Sequence, residues 1–224
     1  MNRLNLTFLL VLFVNTSFAQ DWFSVHSKND ILDGHIIGIA GDTIRGYIQY
    51  DYPLVMQKSV LFFESIQDQN PRLYEPDDIR GYSTTDKWWI STKVIMNTYN
   101  GTFTFNRFGI VESMPGPLVL LRIFDEPDKL KKKLNSQEAE TLHQKIQLNK
   151  DPGSIKNIYI KKNEESAIAI FNKDFKKSFV EKIQPYVGDN MDLLNKIVNK
   201  ERKIREINKI VNEYNRWYVS KYFD

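Results

Sequence analysis

The chain contains no cysteine and only three histidines, His26, His35 and His143. The first absence excludes disulfides, thiolate zinc sites, iron–sulfur clusters, a cysteine nucleophile and a lipid anchor on an N-terminal cysteine. Three dispersed histidines argue against a histidine-rich metal site and assemble into no triad. No Gly-rich phosphate loop, no His-Glu-x-x-His and no Gly-x-Ser-x-Gly occurs. Gly34, Gly38, Gly41 and Gly46 have hairpin spacing rather than the spacing of a nucleotide loop. No catalytic, cofactor-binding or metal residue is assigned on these grounds, and no cofactor is expected.

What is present is ordinary globular composition: 224 residues, 42% apolar and 26% charged. The length suits one large domain or two small ones. The 14 Phe, 11 Tyr and 4 Trp supply large side chains for a core.

The N-terminus reads as a secretory leader. Met1-Asn2-Arg3 is followed by an apolar run from Leu4 to Val14 and by Ser17-Phe18-Ala19. A short basic start, an apolar stretch and small residues at −3 and −1 define a cleavage site between Ala19 and Gln20. The run is about half of the ~20 residues a membrane span needs, and Asn5, Thr7 and Asn15 weaken it further. No later stretch would cross a bilayer as a helix. An exported chain without cysteine fits a bacterial periplasm or cell surface.

Charge divides the remainder. Residues 20–125 hold 9 Lys/Arg and 13 Asp/Glu, a net of −4; residues 126–224 hold 21 and 15, a net of +6. The basic residues are interleaved with acids, as in Glu201-Arg202-Lys203-Ile204-Arg205-Glu206, which is the pattern of a solvated helix face. Nucleic acid is not an expected partner of an exported chain.

The first part predicts antiparallel strands. Gly34–Ala40 and Thr43–Asp51 flank Gly41-Asp42, a hairpin signal. In the second run Ile44, Gly46, Ile48 and Tyr50 share one face, and Thr43, Arg45, Tyr47 and Gln49 the other. Lys58–Glu64 is a more continuously apolar strand, Arg72–Glu75 a short one, and Pro76-Asp77-Asp78-Ile79 a turn. Lys87–Thr98 and Thr102–Arg107 alternate around Asn100-Gly101, a further hairpin signal. Phe108–Glu112 and Leu118–Phe124 form another pair, and Lys156–Lys161 with Ser166–Phe171 the last. Residues 126–154 lose the pattern and read as a charged, partly helical excursion. The expected architecture is α+β: an antiparallel meander of about nine or ten strands over residues 20–172, a sandwich or an open barrel.

Residues 173–224 predict three helices that pack on the β domain. Asn172 or Asp174 caps the first, with a stripe of Phe175, Phe179, Ile183 and Tyr186/Val187 ending near Pro185 and Gly188. Asp189 or Asn190 caps the second, with Met191, Leu194, Ile197 and Val198. The third carries Ile204, Ile207, Val211, Tyr214 and Tyr218, widened by Ile210 and Trp217.

Three tryptophans are candidate ligand or partner contacts. Trp88 and Trp89 are adjacent, so on a strand one ring joins the core and the other faces outward. The C-terminal helices are expected to cover the outward ring; left exposed, it would stack on a sugar or anchor a protein. Trp217 either closes the domain's own core or anchors a docked partner. Asp77-Asp78 are adjacent and suit backbone capping in a turn better than glycosidase chemistry, which needs carboxyl groups on opposite sides of a sugar.

Four segments carry a resemblance. Gly41-Asp42-Thr43-Ile44-Arg45-Gly46-Tyr47-Ile48, the Tyr74-x-Pro76-x-Asp78-Ile79-x-Gly81-Tyr82 pattern, Phe175-Lys176-Lys177 and Tyr214-Asn215-Arg216-Trp217-Tyr218 are similar to an uncharacterised family of exported Gram-negative bacterial proteins. The resemblance implies export and a β-then-α layout, and it supplies no activity. The expected function is a non-enzymatic binding or scaffold protein of the cell envelope, with an envelope protein or a glycan as partner. The alternative is a polysaccharide-processing hydrolase that uses Asp/Glu carboxylates and a Trp platform.

Overall fold

A computed structural model describes residues 29–51, 53–98, 101–124, 157–163, 166–170 and 173–223. The expected leader, the excursion at 126–154 and the tip at 99–100 of the Asn100-Gly101 hairpin lie outside the described residues. Among the described residues the architecture is mixed α and β and rich in strand: ten strands in one sheet, with helices mainly at the C-terminal end.

The strands are β1 (Ile31–Gly38), β2 (Thr43–Gln49), β3 (Val60–Phe63), β4 (Arg72–Tyr74), β5 (Ile79–Thr84), β6 (Trp88–Thr98), β7 (Gly101–Val111), β8 (Leu118–Ile123), β9 (Asn157–Lys162) and β10 (Ala167–Ala169). A short helix α1 (Pro53–Met56) links β2 to β3. Alternation explains most of these elements. Gly41, at φ 91°, makes the β1–β2 turn in a backbone region that favours glycine. The expected break before Phe108 does not occur, and one continuous strand pairs with β6 from Trp89↔Ile110 to Thr98↔Gly101.

The topology departs from a plain meander in two places. The order is β10-β9-β8-β7-β6-β5-β1-β2-β3-β4, so β5 returns to lie beside β1. A flat sheet would put β4 and β5 four strand spacings apart, roughly 19 Å. The Glu75–Asp78 connection spans at most ~17 Å when extended. It is instead folded into a turn, in which Asp78 N–H donates to Glu75 O at 3.0 Å and Asp78 Oδ2 accepts from Glu75 N–H at 2.8 Å. The N-terminal strands must therefore curl. The second departure is at the other end, where β10 pairs in parallel with β6 through Ala167↔Val94 and Ile168↔Ile95. That pairing closes β6–β10 into a five-stranded barrel. The other pairings are antiparallel.

Three cores follow. Val94, Leu121, Ile123, Tyr159 and Ala167 fill the barrel. Ile36, Ile48, Phe62, Tyr82, Trp89 and Phe108 fill the N-terminal curl, which α1 plugs with Met56. Leu118, Leu120 and Ile160 leave the barrel's outer wall to meet the helices. Along β8 the even positions 118 and 120 thus face the helices and the odd positions 121 and 123 face the barrel, as strand alternation requires.

The C-terminal segment has more pieces than the three helices expected. The first is cut at Ser178 into α2 (Lys173–Lys177) and α3 (Phe179–Val187), although Phe175, Ile183, Tyr186 and Val187 all reach the core. The second is α4 (Met191–Val198), capped by Asn190, whose side chain accepts from Leu193 N–H at 3.1 Å. Its buried face is Leu193, Leu194 and Ile197, while Met191 and Val198 are exposed, so the stripe is rotated from the one expected. A 3₁₀ turn at Ile204–Glu206 then opens α5 (Ile207–Phe223). Glu213 of α5 gathers Lys196 (2.5 Å) and Arg202 (3.0 Å), tying α4 and the following loop to α5.

Candidate functional site

The two adjacent tryptophans part as strand geometry demands. Trp89 is 1% exposed and stacks on Tyr82 with ring centroids 5.4 Å apart and planes at 12°. It belongs to the core of the curl and cannot serve as a partner contact, which corrects its place among the candidates. Trp88 is 43% exposed. The C-terminal helices were expected to cover it; its ring neighbour is instead His35 of β1, edge-on at 4.9 Å and 71°. The helices pack on the barrel wall at β8, while Trp88 pairs with Ser83 on the opposite flank of β6.

Register places a row of side chains across four strands. Trp88 pairs with Ser83, Ser83 with His35, and His35 with Arg45. A second row joins Asp33, Tyr47 and Phe63. Both rows lie on the face opposite Ile36 and Ile48, outside the curl. Beside them an open depression of about 410 Å³ is lined by Asp33, Gly34, Arg45, Gly46, Tyr47 and Glu64. Gly34 and Gly46 face each other in register, and a Cβ on either would strike a backbone carbonyl, Ser83 O at 2.2 Å or Phe63 O at 2.3 Å. The site is therefore an exposed indole and, beyond His35 on the same sheet face, a shallow polar hollow that offers one guanidinium, two carboxylates and a phenol.

Ser83 and His35 invite a catalytic reading, since Ser83 Oγ and His35 Nδ1 share a hydrogen bond of 2.8 Å. The electrostatics oppose it. Burial and then the charge of Arg45 lower the His35 pKa from 6.5. A general base must gain a stable imidazolium as it takes the serine proton, and a cation beside the ring destabilises that state. Ser83 is itself only 4% exposed. The pair holds β1 to β5 and orients the His35 ring against Trp88. His35 is expected to titrate below 6.5, and Arg45→Gln to bring it part of the way back, burial remaining. The ring resonances of His35 followed by NMR against pH check this, and a midpoint unchanged by Arg45→Gln would remove Arg45 as a cause.

Other charged pairs among the described residues tie the fold together. Arg122 Nε lies 2.8 Å from Glu112 Oε1, and Lys87 lies 3.5 Å from Asp86, both near the core of the curl. Asp78 caps its own turn, and Asp77 accepts from Asn106 Nδ2. Trp217 is half-buried against the helical core, 5.5 Å from Tyr214, with Lys221 Nζ 4.7 Å over its ring.

Sequence reasoning missed His35, Ser83, Asp33 and Glu64 as a group. Alternation puts Arg45 and Tyr47 on one face of β2, but only the β1–β5 pairing brings Ser83 to His35 across 48 positions. Compared with known proteins, the chain matches no family model, no curated protein and no solved structure.

Proposed function

We propose that the chain is a non-enzymatic binding protein of the bacterial cell envelope, exported with cleavage between Ala19 and Gln20 to the periplasm or cell surface, as in the uncharacterised exported family it resembles. The ligand surface is the outer sheet face around Trp88, and its partner is a glycan or an envelope protein. The observation that carries this reading is an indole left 43% exposed on the sheet face that also carries a polar hollow. An aromatic platform with a polar rim stacks on the apolar face of a sugar ring and hydrogen-bonds its hydroxyls. A hydrolase would instead need two carboxyl groups converging across a cleft. The acids that line the hollow, Asp33 and Glu64, are both exposed.

The test is a glycan array run beside a pull-down from envelope extract, with wild type and Trp88→Ala compared. Capture is expected to be lost while the melting temperature stays within a few degrees. Undiminished capture by the variant would move the site elsewhere. N-terminal sequencing of envelope material is expected to begin at Gln20; an intact Met1 on cytoplasmic protein would overturn the export reading.

A further inference from the structure

The last two turns of α5 are unlike the rest of that helix. Its earlier turns bury Ile207, Ile210, Val211, Tyr214 and Asn215 against the helical core and β8. Beyond Asn215 the helix runs on for eight residues, about 12 Å. This end carries Trp217 and Tyr218, half-buried, and Tyr222 and Phe223, 53% and 60% exposed. The rings form one cluster: Tyr218 and Tyr222 lie 4.6 Å apart and Trp217 and Tyr222 6.3 Å. Lys221 spans it, with its ammonium 4.7 Å over Trp217 and 5.2 Å over Tyr222.

Cations lead at this end. From Tyr214 to Phe223 the sequence contains Arg216 and Lys221 and no acid, with Asp224 following. Residues 173–223 as a whole hold 12 Lys/Arg and 7 Asp/Glu, a net of +5. Amphipathic rings at a helix end, long cationic side chains among them and a basic body behind are the chemistry of the membrane interface. Tyr and Trp sit at headgroup level, Phe enters the acyl boundary, and Lys and Arg meet anionic headgroups.

We infer that the end of α5 docks the protein onto an anionic lipid surface, with Tyr222 and Phe223 entering the interface and Arg216 and Lys221 on the headgroups. Charge complementarity selects this occupant over an apolar protein groove, which would leave both cations without counter-charge. The inference is independent of the Trp88 site. It also concerns peripheral contact only, since no helix among the described residues is long and apolar enough to cross a membrane.

The experiment is co-sedimentation of the chain from Gln20 onward, which includes every described residue, with vesicles of phosphatidylcholine and phosphatidylglycerol at 7:3. Partition is expected with these vesicles and to fall at least about tenfold with pure phosphatidylcholine or in 0.5 M salt. The double variant Tyr222→Ser with Phe223→Ser is expected to lose roughly ten- to a hundredfold of the partition, with its thermal melt unchanged because both side chains are exposed. Brominated lipid should quench tryptophan emission in the wild type, and Trp217→Phe should remove more of that quenching than Trp88→Phe. No sedimentation with anionic vesicles, or equal sedimentation of the double variant, would overturn the inference. So would a soluble self-association that the double variant abolishes without any vesicle binding, which would assign the aromatic end to a second copy of the chain.

Discussion

Trp89→Ala is expected to lower the melting temperature by roughly 6–20 °C. The estimate combines a cost of about 3–5 kcal/mol for truncating a buried Trp with a shift of ~2–4 °C per kcal/mol for a chain of this size. One stacking contact is lost directly and two others depend on its partner ring. Trp89 stacks on Tyr82, Tyr82 meets Phe108 edge-on at 5.0 Å, and the Tyr82 hydroxyl donates to Met56 O at 2.9 Å, which holds α1 in the mouth of the curl. A cavity beside Tyr82 therefore loosens the ring that anchors α1. The indole N–H of Trp89 has no hydrogen-bond partner among the described residues, so truncation forfeits packing and no hydrogen bond. Trp89→Phe should accordingly recover more than half of the loss, because it restores most of the apolar volume and removes an unsatisfied donor. Urea titration with an unchanged slope would assign the effect to the native state rather than to a change in the surface exposed on unfolding. Trp88→Ala, one residue away, is the internal contrast and should shift the midpoint by only a few degrees. Equal effects at the two positions would contradict the assignment of faces.

That contrast marks how far the sequence is readable. Two adjacent tryptophans on an alternating run must face opposite ways, and that much follows from strand geometry. Which of the two is buried depends on what lies behind β6, and the curl behind it exists only because β5 joins β1. No local signal near Ile79 specifies that pairing. Pro76-Asp77-Asp78-Ile79 reads as a turn and no strand is expected at Ile79–Thr84; burial of Tyr82 and Ile79 in a shared core makes it one and sets it beside β1. The barrel closure is still less visible. It rests on two pairs from a three-residue strand, Ala167–Ala169, and alternation marks that strand without saying that its second edge joins β6. Residues that make helices were legible as helical from their 3.6-residue stripes, yet the break at Ser178 was not, because Phe175, Phe179 and Ile183 keep one phase across it. The candidate site shares the fate of β5. Arg45 and Tyr47 could be placed on a face, whereas Ser83 and Trp88 could not be placed beside them before the pairing was known.

Asn215→Leu is expected to destabilise the protein by about 2–4 kcal/mol, which corresponds to roughly 4–16 °C in melting temperature. Asn215 is fully buried in α5, a rare position for an amide, and it is satisfied entirely by the backbone before and at the start of β8. Its Oδ1 accepts from Leu118 N–H at 3.0 Å, and its Nδ2 donates to Leu118 O at 2.8 Å and to Met114 O at 3.0 Å. The packing is close enough that a Cβ on Gly116 would lie 2.3 Å from Asn215 Cγ. Leucine has nearly the same volume, so no large cavity forms. What it does is take the amide from Leu118 N–H and from the Leu118 and Met114 carbonyls, leaving Leu118 O only a long 3.5 Å contact from Ser113 Oγ, and the unmade hydrogen bonds set the cost. Asn215→Asp separates donor from acceptor. The introduced carboxylate can still accept from Leu118 N–H, but it aims negative charge at two carbonyls in a buried place, so its folded-state pKa is raised above the unfolded value of about 3.9. With the folded pKa raised, the native state binds the extra proton, and stability is highest below the unfolded pKa and falls as pH rises through the folded one. This variant should thus fall short of wild type at pH 4 by about 1 kcal/mol, for the one donor its neutral carboxyl lacks, and be strongly destabilised at pH 7, each relative to wild type at the same pH. Asn212, which accepts from Met114 N–H at 3.0 Å from a half-buried position, should cost only about 1 kcal/mol on replacement by alanine. A melt of Asn215→Leu within about 2 °C of wild type, or an Asn215→Asp deficit that does not change between pH 4 and 7, would show that α5 is held to the barrel by apolar packing alone.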